Sequence, residues 1–470
     1  MASTSPARGM RDFLPADVRR REYVIGVIRG VYERYGFQPL ETPAVENIET
    51  LLGKYGEEGN QLIFKILKRG EHEASGQADL ALRYDLTVPL ARVVAEHRHA
   101  LPKFFKRFQI QPVWRADRPA RGRFREFYQC DVDAIGSTSP VVEAELCAAA
   151  CEVMAALGFA DFTLRLNHRA VLSGVLDAAD IPADRHGDAL VALDKLDKIG
   201  IEGVRAEYVQ RGLAAEAADR VLDLLAGEPG TAAGATGDTG LSAVNQQTLE
   251  RVDAFVAAHD AAREGIATLR RVLALCVGTP AEGRVRVDAS LARGLSYYTG
   301  CIMELAVPDL AGSLGGGGRY DNLVGMFGKE QVPAAGFSLG LERILVVMGE
   351  RGMFPPTVTT TPADVLVTIW SAADTGEAIR LAHALRAQGL RVDVYPDADK
   401  LGKQFKYAAT LGVPFVAVLG EDERAAGVVT LKDLRTGAQT RVAREAVAAT
   451  IREGVPSGQD EAAAPDAPTR

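Results

Sequence analysis

The stretch that decides the fold reads WRADRPARGRFREFYQCDVD and covers residues 114–133. Two runs rich in aromatic and β-branched residues, 104–115 and 124–135, flank the loop 116–123. This pattern predicts a long antiparallel hairpin. Alternate residues of the second run share one face, namely Arg125, Phe127, Gln129, Asp131 and Asp133. That face indicates either the floor of a polar pocket or a solvent-facing sheet, and both interpretations stay open.

Arginines stand in and around this hairpin where a nucleotide site would need them. They are Arg115 at the end of the first strand, Arg121, Arg123 and Arg125 in and after the loop, and Arg343 in the string Gly-Leu-Glu-Arg. Guanidinium groups match phosphate oxygens bidentately and stay charged at any working pH. A solvated basic turn is the alternative interpretation.

Three further strings carry polar or glycine residues at predicted element ends. In 83–87, RYDLT, a strand ends before a helix, so Thr87 could be only a helix N-cap. In 293–300, RGLSYYTG, an arginine on a turn precedes two tyrosines at the start of a strand. The glycine run 315–318 leads into a helix-like segment and fits no phosphate-binding motif. Such a run is either a flexible loop or a place of close backbone approach to a ligand.

Composition limits the class of protein. The 470 residues carry a net charge of −8, which excludes a histone-like mode of nucleic-acid binding but not a local basic patch. The N-terminus has no secretory pattern, and no apolar run is long enough to cross a bilayer. Five scattered cysteines indicate reduced thiols and a cytoplasmic location. Cys147 and Cys151, four residues apart, are interpreted as buried small residues rather than a metal pair.

The pattern along the chain predicts several domains. A helical texture at 168–283 indicates a domain inserted into the sheet domain, which comprises 1–167 and 284–353. Residues 354–362 are predicted as a linker. Alternating strands and helices over 363–454 predict an α/β domain with a mainly parallel sheet. The tail 455–470 is predicted to be disordered.

Six strings together resemble the histidyl-tRNA synthetases, and they occur in that family's order. They are GMRDFLP (9–15), RYDLTVPLARV (83–93), WRADRPARGRFREFYQCDVD (114–133), LARGLSYYTG (291–300), GGGRYDNL (316–323) and GFSLGLER (336–343). The likeness covers nearly the whole chain. It implies a class II synthetase fold, which is an α+β catalytic domain on a mainly antiparallel sheet with a helical insertion and a C-terminal anticodon-binding domain.

The resemblance also implies site residues. It assigns histidine to Asp85, Leu86, Thr87, Arg115, Gln129, Asp133, Arg293, Tyr297 and Tyr298. It assigns ATP to Arg115, Arg123 and Arg343, and it gives the catalytic roles to Arg293 and Arg115. No resident metal is expected, because Mg²⁺ would be carried by ATP. Two residues depart from the usual family strings: Ser296 replaces the usual Asp, and Asp85 stands where many bacterial members have Glu.

The implied function is a histidine–tRNA ligase, a cytoplasmic homodimer with no membrane attachment. It would activate L-histidine with ATP and transfer it to the 3′ end of tRNA(His). Motif 1, which forms the dimer interface in the family, corresponds to 17–46. Lys400, Lys403 and Lys406 could meet tRNA phosphates or form an ordinary solvated helix face. The alternative function is the non-catalytic paralogue that regulates ATP phosphoribosyltransferase in histidine biosynthesis.

Overall fold

The computed structural model describes residues 4–70, 75–226, 238–292, 297–328, 330–356, 358 and 361–454. The chain forms two units. One contains the residues up to Asp12 and from Arg21 to Met353, and the other contains Phe13 to Arg20 and the chain from Phe354 onward. The predictions for Arg293, for Ser296 and for the tail 455–470 lie outside the described residues.

The first unit combines a large sheet, a small sheet and helices. Its strands are β1 (Gln38–Pro39), β2 (Val45–Asn47), β3 (Lys65–Leu67), β4 (Ala78–Leu82), β5 (Phe105–Trp114), β6 (Glu126–Ile135), β7 (Thr163–His168), β8 (Val285–Val287), β9 (Cys301–Ala306), β10 (Gly315–Arg319) and β11 (Ala334–Gly340). Its helices are α1 (Pro15–Arg34), α2 (Ile48–Leu51), α3 (Gly56–Gln61), α4 (Thr87–Glu96), α5 (Val141–Ala156), α6 (Arg169–Ala178), α7 (His186–Leu193), α8 (Leu196–Gln210), α9 (Ala215–Ala226), α10 (Asp238–Phe255), α11 (Asp260–Cys276) and α12 (Leu341–Glu350). Helix α1 crosses the division between the units, because its residues up to Arg20 belong to the second unit.

The large sheet has the strand order β1-β5-β6-β11-β10-β9-β7-β8. Only the outer pairs β1/β5 and β7/β8 are parallel, and the inner pairs are antiparallel. The predicted hairpin is β5/β6, which runs in unbroken register from Phe105 opposite Ile135 to Trp114 opposite Glu126. The prediction of an α+β domain on a mainly antiparallel sheet is therefore confirmed.

The glycine run is a strand, so its interpretation as a flexible loop is wrong, and the segment after it contains the short 3-10 helix Val324–Met326. Residues Gly315–Arg319 form β10, which is buried between β9 and β11. A β-carbon on Gly317 would lie 2.0 Å from the Gly336 carbonyl oxygen, and one on Gly318 would lie 2.5 Å from that of Cys301. Glycine normally weakens a strand, but here the neighbouring backbones leave no room for a side chain.

Along the chain, helices α6 to α11 connect β7 to β8, and these two strands are parallel neighbours in the sheet. Helix α11 shows why this segment reads as helical, because its buried residues Ala262, Ile266, Leu269 and Val272 recur at helical spacing. These helices fall in the range predicted as an inserted domain. The boundaries 168 and 283 stay a prediction.

The second unit carries a five-stranded sheet. Its elements from residue 363 on are β12 (Val365–Val367), α13 (Thr375–Ala387), β13 (Val392–Val394), α14 (Leu401–Thr410), β14 (Phe415–Val418), α15 (Glu421–Ala426), β15 (Val428–Asp433), β16 (Gln439–Ala443) and α16 (Val447–Gly454). The strand order is β13-β12-β14-β15-β16. The first three strands are parallel and the last two are antiparallel. The predicted mainly parallel sheet is thus mixed, because the hairpin β15/β16 joins the same sheet.

The cysteines are free thiols, and all are buried. Cys147 and Cys151 lie within α5, and no group of three or more metal-ligating side chains occurs among the described residues. The interpretation of this pair as small buried residues is confirmed. In the described ranges, no helix is both long and apolar enough to span a membrane.

Candidate active site

The polar face of β6 is buried. Gln129, Asp131 and Asp133 are only 8%, 1% and 2% exposed, so the solvent-facing alternative is wrong for these three residues. Strand β6 lies between β5 and β11, and this central position places its polar face inside the first unit. Burying polar groups is unfavourable unless they are paired. Their partners therefore define what this face does.

Asp133 has two partners in the protein. The Tyr320 hydroxyl donates to Asp133 Oδ1, and the fully buried Arg107 places Nη2 2.9 Å from Asp133 Oδ2. The second contact is an ion pair without hydrogen-bond geometry, because Oδ2 accepts no hydrogen bond from any described residue. Burial raises the pKa of Asp133, while Arg107 and Tyr320 act in the opposite direction. Oδ2 is therefore an acceptor with capacity for a ligand.

Asp85 follows β4 and is 2% exposed. Its Oδ1 accepts the Tyr55 hydroxyl at 2.9 Å and the Val88 amide at 3.0 Å, so Asp85 bonds the first turn of α4. Thr87 is the first residue of α4, and the suggestion that it acts only as N-cap is wrong. Burial raises the pKa of Asp85, with Arg115 opposing the rise. Its second oxygen, Oδ2, has no hydrogen-bond partner among the described residues.

Gln129 and Asp131 are linked through Ser338 of β11. Gln129 Nε2 donates to Ser338 Oγ at 2.9 Å, which turns Gln129 Oε1 away from this contact. Asp131 bonds with Ser338, and Arg107 Nη2 lies 3.8 Å from Asp131 Oδ2. Burial raises the pKa of Asp131 to about 7, although the positive charge of Arg107 acts in the opposite direction. Within the described ranges, Gln129 Oε1 and Asp131 Oδ1 lack hydrogen-bond partners.

Four unsatisfied acceptor atoms thus come from one region. They are Asp85 Oδ2, Gln129 Oε1, Asp131 Oδ1 and Asp133 Oδ2, where satisfaction is counted over the described residues. Native proteins leave few buried polar atoms unpaired, and each such atom calls for an explanation. Acceptors with negative charge suit a cationic ligand that brings several N–H donors.

Three tyrosines stand beside these acceptors. The ring of Tyr297 is 5.0 Å from that of Tyr298 and 6.0 Å from that of Tyr320, both edge-on. Tyr297 bonds with Thr87, and burial raises the pKa of Tyr297 well above its ordinary range. Both Tyr297 and Tyr298 are 8% exposed. The Tyr297 hydroxyl therefore stays protonated at neutral pH, and both hydroxyls belong to a group that can either donate or accept a hydrogen bond.

Arg115 is fixed at the end of β5. Its Nε donates to the Tyr84 carbonyl at 3.0 Å, and its guanidinium lies over the rings of Tyr84 and Phe127, at 4.3 and 5.2 Å from their centroids. Stacking and the single Nε bond leave Nη1 and Nη2 without a hydrogen bond to the described residues. These atoms can meet an anion.

The arginines predicted for ATP are held by the protein itself. Arg343 donates to the carbonyls of Ser313 and Ala311 and approaches the loop glycine Gly122. Arg123 Nε contacts Asp117 Oδ2 at 3.2 Å and is more than half exposed. Arg121 pairs instead with Glu350 at the surface. Charge-assisted bonds to phosphate are stronger than bonds to neutral carbonyls, so a nucleotide could replace the Arg343 contacts.

Five further residues build the candidate site but were not among the predicted site residues. They are Tyr55, Arg107, Tyr320, Gly336 and Ser338. One signal was present for Arg107, because any hairpin that pairs Phe105 with Ile135 also pairs Arg107 with Asp133. Tyr55 gave none, since it lies in a different part of the chain. Arg293, predicted as catalytic, lies outside the described residues.

Comparison with known proteins gives a consistent family. The family model described as histidyl-tRNA synthetase matches residues 9–344, and the one described as anticodon binding domain matches residues 364–454. A histidine–tRNA ligase of Porphyromonas gingivalis is 42% identical, with 95% of this chain and 98% of that protein covered. The histidine–tRNA ligase of Gloeobacter violaceus is 40% identical, with 92% and 95% covered.

A crystal structure of histidyl-tRNA synthetase from Nostoc sp. has the same fold. Its TM-score is 0.79 at 32% identity, and the match covers 97% of this chain and all of that chain. The family model matches most of the sequence, and the relatives are covered over nearly their whole length. The similarity is therefore not limited to one shared domain. The chain belongs to the histidyl-tRNA synthetase family.

Proposed function

We propose that this protein is a histidine–tRNA ligase that forms histidyl-adenylate from L-histidine and ATP and transfers the histidine to tRNA(His). The observation that carries the proposal is the set of unsatisfied buried acceptors on β6 and at Asp85. Histidine brings an α-ammonium group with three N–H donors and an imidazole with at least one.

The α-amino group would bind between Asp85, Thr87 and Gln129. Asp85 Oδ2 supplies a charged acceptor, and its other oxygen is already fixed by Tyr55 and Val88. The Gln129 amide presents Oε1 because Ser338 accepts from its nitrogen. Leu86, between Asp85 and Thr87, is fixed by its carbonyl, which accepts from Arg107 Nη2 at 3.3 Å. This arrangement supports binding of an ammonium group.

The imidazole would bind to Asp133 and the tyrosines. Asp133 Oδ2 can accept the N–H of one ring nitrogen, and a hydroxyl of Tyr297 or Tyr298 can pair with the other. A buried site built for hydrogen bonding rejects ligands that lack the matching groups by roughly 10⁴–10⁵, because its polar atoms are then left unpaired. Selection of histidine would follow from this pairing.

Activation needs alignment and charge neutralisation rather than a base. The carboxylate of histidine is already ionised at neutral pH and attacks the α-phosphorus of ATP, with pyrophosphate as the leaving group. Arg115, whose Nε is held by the Tyr84 carbonyl, would use Nη1 and Nη2 to hold the histidine carboxylate and the α-phosphate. Arg293 would stabilise the pentavalent transition state, and Arg123 and Arg343 would bind the remaining phosphates. ATP enters as its magnesium complex.

The second unit would bind tRNA. Its match to the anticodon-binding model supports this role, and Lys400, Lys403 and Lys406 are exposed at and along α14. Lys403 also pairs with Asp399 at 3.0 Å. Phosphate contacts of this kind add affinity without sequence selection and weaken as salt increases. The enzyme would act as a homodimer in the cytoplasm, with α1 and the edge strand β1 in the part that resembles motif 1.

The regulatory paralogue remains the alternative function. It is disfavoured by the full-length relatives, which are named as ligases, and by the match to an anticodon-binding domain that the paralogue lacks. The sequence also retains the arginines to which the proposed catalytic function assigns roles, namely Arg115, Arg123, Arg293 and Arg343.

Aminoacylation of tRNA(His) with labelled histidine tests the proposal. Purified protein should charge tRNA(His) and leave tRNAs of other specificity uncharged. Lys400→Ala combined with Lys406→Ala should raise the KM for tRNA and reduce its salt dependence, with histidine activation in the absence of tRNA as the internal control. Folded wild-type protein that charges no tRNA(His) would overturn the assignment.

A further inference from the structure

Next to the proposed imidazole site, one buried cation, Arg107, lies beside two buried carboxylates, Asp131 and Asp133. Arg107 is 0% exposed, and its Nη2 lies 2.9 Å from Asp133 Oδ2 and 3.8 Å from Asp131 Oδ2. The remaining bonds of Arg107 go to neutral groups, with Nη1 donating to Gln109 Oε1 at 3.2 Å and Nη2 to the Leu86 carbonyl. If both aspartates were ionised, this cluster would carry an unbalanced negative charge in a buried place.

The two aspartates are not equivalent in their contacts. Asp133 receives the Tyr320 hydroxyl on Oδ1, and its Oδ2, which accepts no hydrogen bond from the described residues, lies close to the Arg107 guanidinium instead. Asp131 has the longer contact, bonds with Ser338, and leaves Oδ1 without a partner among the described residues. An unpaired oxygen costs more free energy on a charged carboxylate than on a neutral carboxyl group. Asp131 is therefore the better place for a proton.

We propose that Arg107 is a positioning residue that holds Asp133 ionised as the imidazole acceptor. Because one guanidinium balances the charge of only one buried carboxylate, the second aspartate, Asp131, is protonated. This proposal rests on the proposed function, because it assumes that Asp133 binds the histidine ring. An ionised Asp133 only accepts hydrogen bonds, so the bound ring must present an N–H to it. Arg107 thereby contributes to selectivity without reaching the ligand.

The surrounding ionisable groups fit this division. Asp85 adds a further negative charge near Asp131, and Tyr32 of α1 and Tyr320 face the pair as neutral hydroxyls whose pKa values burial raises. Arg83 lies near Asp131 but bonds to Gln111 and to the carbonyls of Thr42, Pro43 and Pro112. Arg107 is thus the one cation among the described residues that touches both carboxylates.

Arg107→Met tests the idea through histidine KM and its pH dependence in ATP–pyrophosphate exchange. An opposite charge at this distance lowers a carboxyl pKa by about 1–3 units, so its loss should raise the KM for histidine about tenfold or more at pH 7. The KM should fall again as the pH rises to 9, whereas the wild type should show no such recovery. Arg107→Lys should restore part of the wild-type behaviour.

Removal of the second carboxylate gives the decisive comparison. Adding Asp131→Asn to Arg107→Met should lower the KM again, because Asp133 no longer shares a proton with a neighbour. Loss of structure alone would not be repaired by a second substitution. Arg165→Met, which breaks a partly buried ion pair with Asp288 at the other end of the sheet, is the control and should not produce a pH-dependent KM.

Two outcomes overturn the proposal. One is an Arg107→Met enzyme with an unchanged KM, and the other is a double variant no better than the single one. If Arg107→Met does not fold, single variants decide instead: Asp133→Asn should raise the KM at least tenfold more than Asp131→Asn, and equal effects would refute the division. Absence of histidine-dependent exchange in the wild type would instead refute the proposed function.

Discussion

Asp133 and Gly336 face each other across β6 and β11, and a β-carbon on Gly336 would lie 1.8 Å from Asp133 Oδ1. No real β-carbon tolerates such a contact, so Gly336 makes room for the carboxylate that we assign to the imidazole. The Tyr320 hydroxyl reaches the same oxygen. A central sheet position thus carries glycine because a neighbouring functional side chain needs its space.

Gly336→Ala should therefore displace Asp133 and weaken histidine binding. We expect the KM for histidine to rise about tenfold or more, with a smaller change in the KM for ATP, since misplacement of a site residue by about 1 Å can cost 10²-fold. Gly349→Ala in α12 is the control, because a β-carbon there meets no atom within 4 Å. Histidine KM values that are the same for both variants would contradict the assignment of Asp133.

Tyr55→Phe should weaken binding of the α-amino group. The substitution removes the 2.9 Å bond to Asp85 Oδ1 and leaves the ring in place. Hydrogen bonds to charged groups contribute about 1.5–3 kcal/mol, so the KM for histidine should rise about 10- to 150-fold. Tyr208→Phe is the matched control, since the buried Tyr208 hydroxyl has no hydrogen-bond partner in the described part of the chain. A Tyr55→Phe enzyme with wild-type KM would separate Asp85 from histidine binding.

The stability of the chain should depend on pH through Asp131. Its pKa is about 7 in the folded protein against an ordinary value of 3.8, so the folded state holds more protons between these values. The free energy of unfolding should then fall as the pH rises from about 4 to about 7 and change little above that range on this account. Urea unfolding at pH 5 and pH 7.5 measures the difference. Asp131→Asn should reduce it, and an unchanged difference would assign the effect to other groups.

Arg293→Ala should slow adenylate formation. The proposed role is stabilisation of charge that develops only in the transition state, and loss of one such donor lowers rates by about 10²–10³-fold. Rapid-quench measurement with enzyme in excess should show this loss, with a much smaller change in histidine affinity. Arg271→Ala on the exposed face of α11 is the control. A variant with an unchanged single-turnover rate would refute the catalytic role.

The sequence predicted the parts of the fold that depend on periodicity. The hairpin β5/β6 follows from two long runs rich in aromatic and β-branched residues around an Arg- and Gly-containing loop. The alternation in β6 predicted which polar residues share a face, but only the structure shows that this face is buried. The strand β10 could not be predicted in this way, because four consecutive glycines have low strand propensity. Its place is set by the backbones of β9 and β11, which lie too close for side chains.

Sequence reasoning found candidate site residues where one string carries them together, and it missed those that distant segments contribute. Gln129, Asp131 and Asp133 could be read from a single strand. Tyr55, just before α3, and Arg107, in β5, reach the same region, and only tertiary structure shows that they contact Asp85 and Asp133. The order of strands in the second unit shows the same limit, since local patterns did not reveal that β15/β16 joins the parallel strands.

The most direct test of the account is ATP–pyrophosphate exchange with each of the twenty amino acids, using purified protein without tRNA. Exchange is expected with histidine alone, because the proposed site pairs the two imidazole nitrogens with Asp133 and a neighbouring tyrosine hydroxyl. Exchange with a different amino acid would contradict the assigned specificity. No exchange with any amino acid, from protein shown to be folded, would contradict the catalytic function and favour the regulatory paralogue.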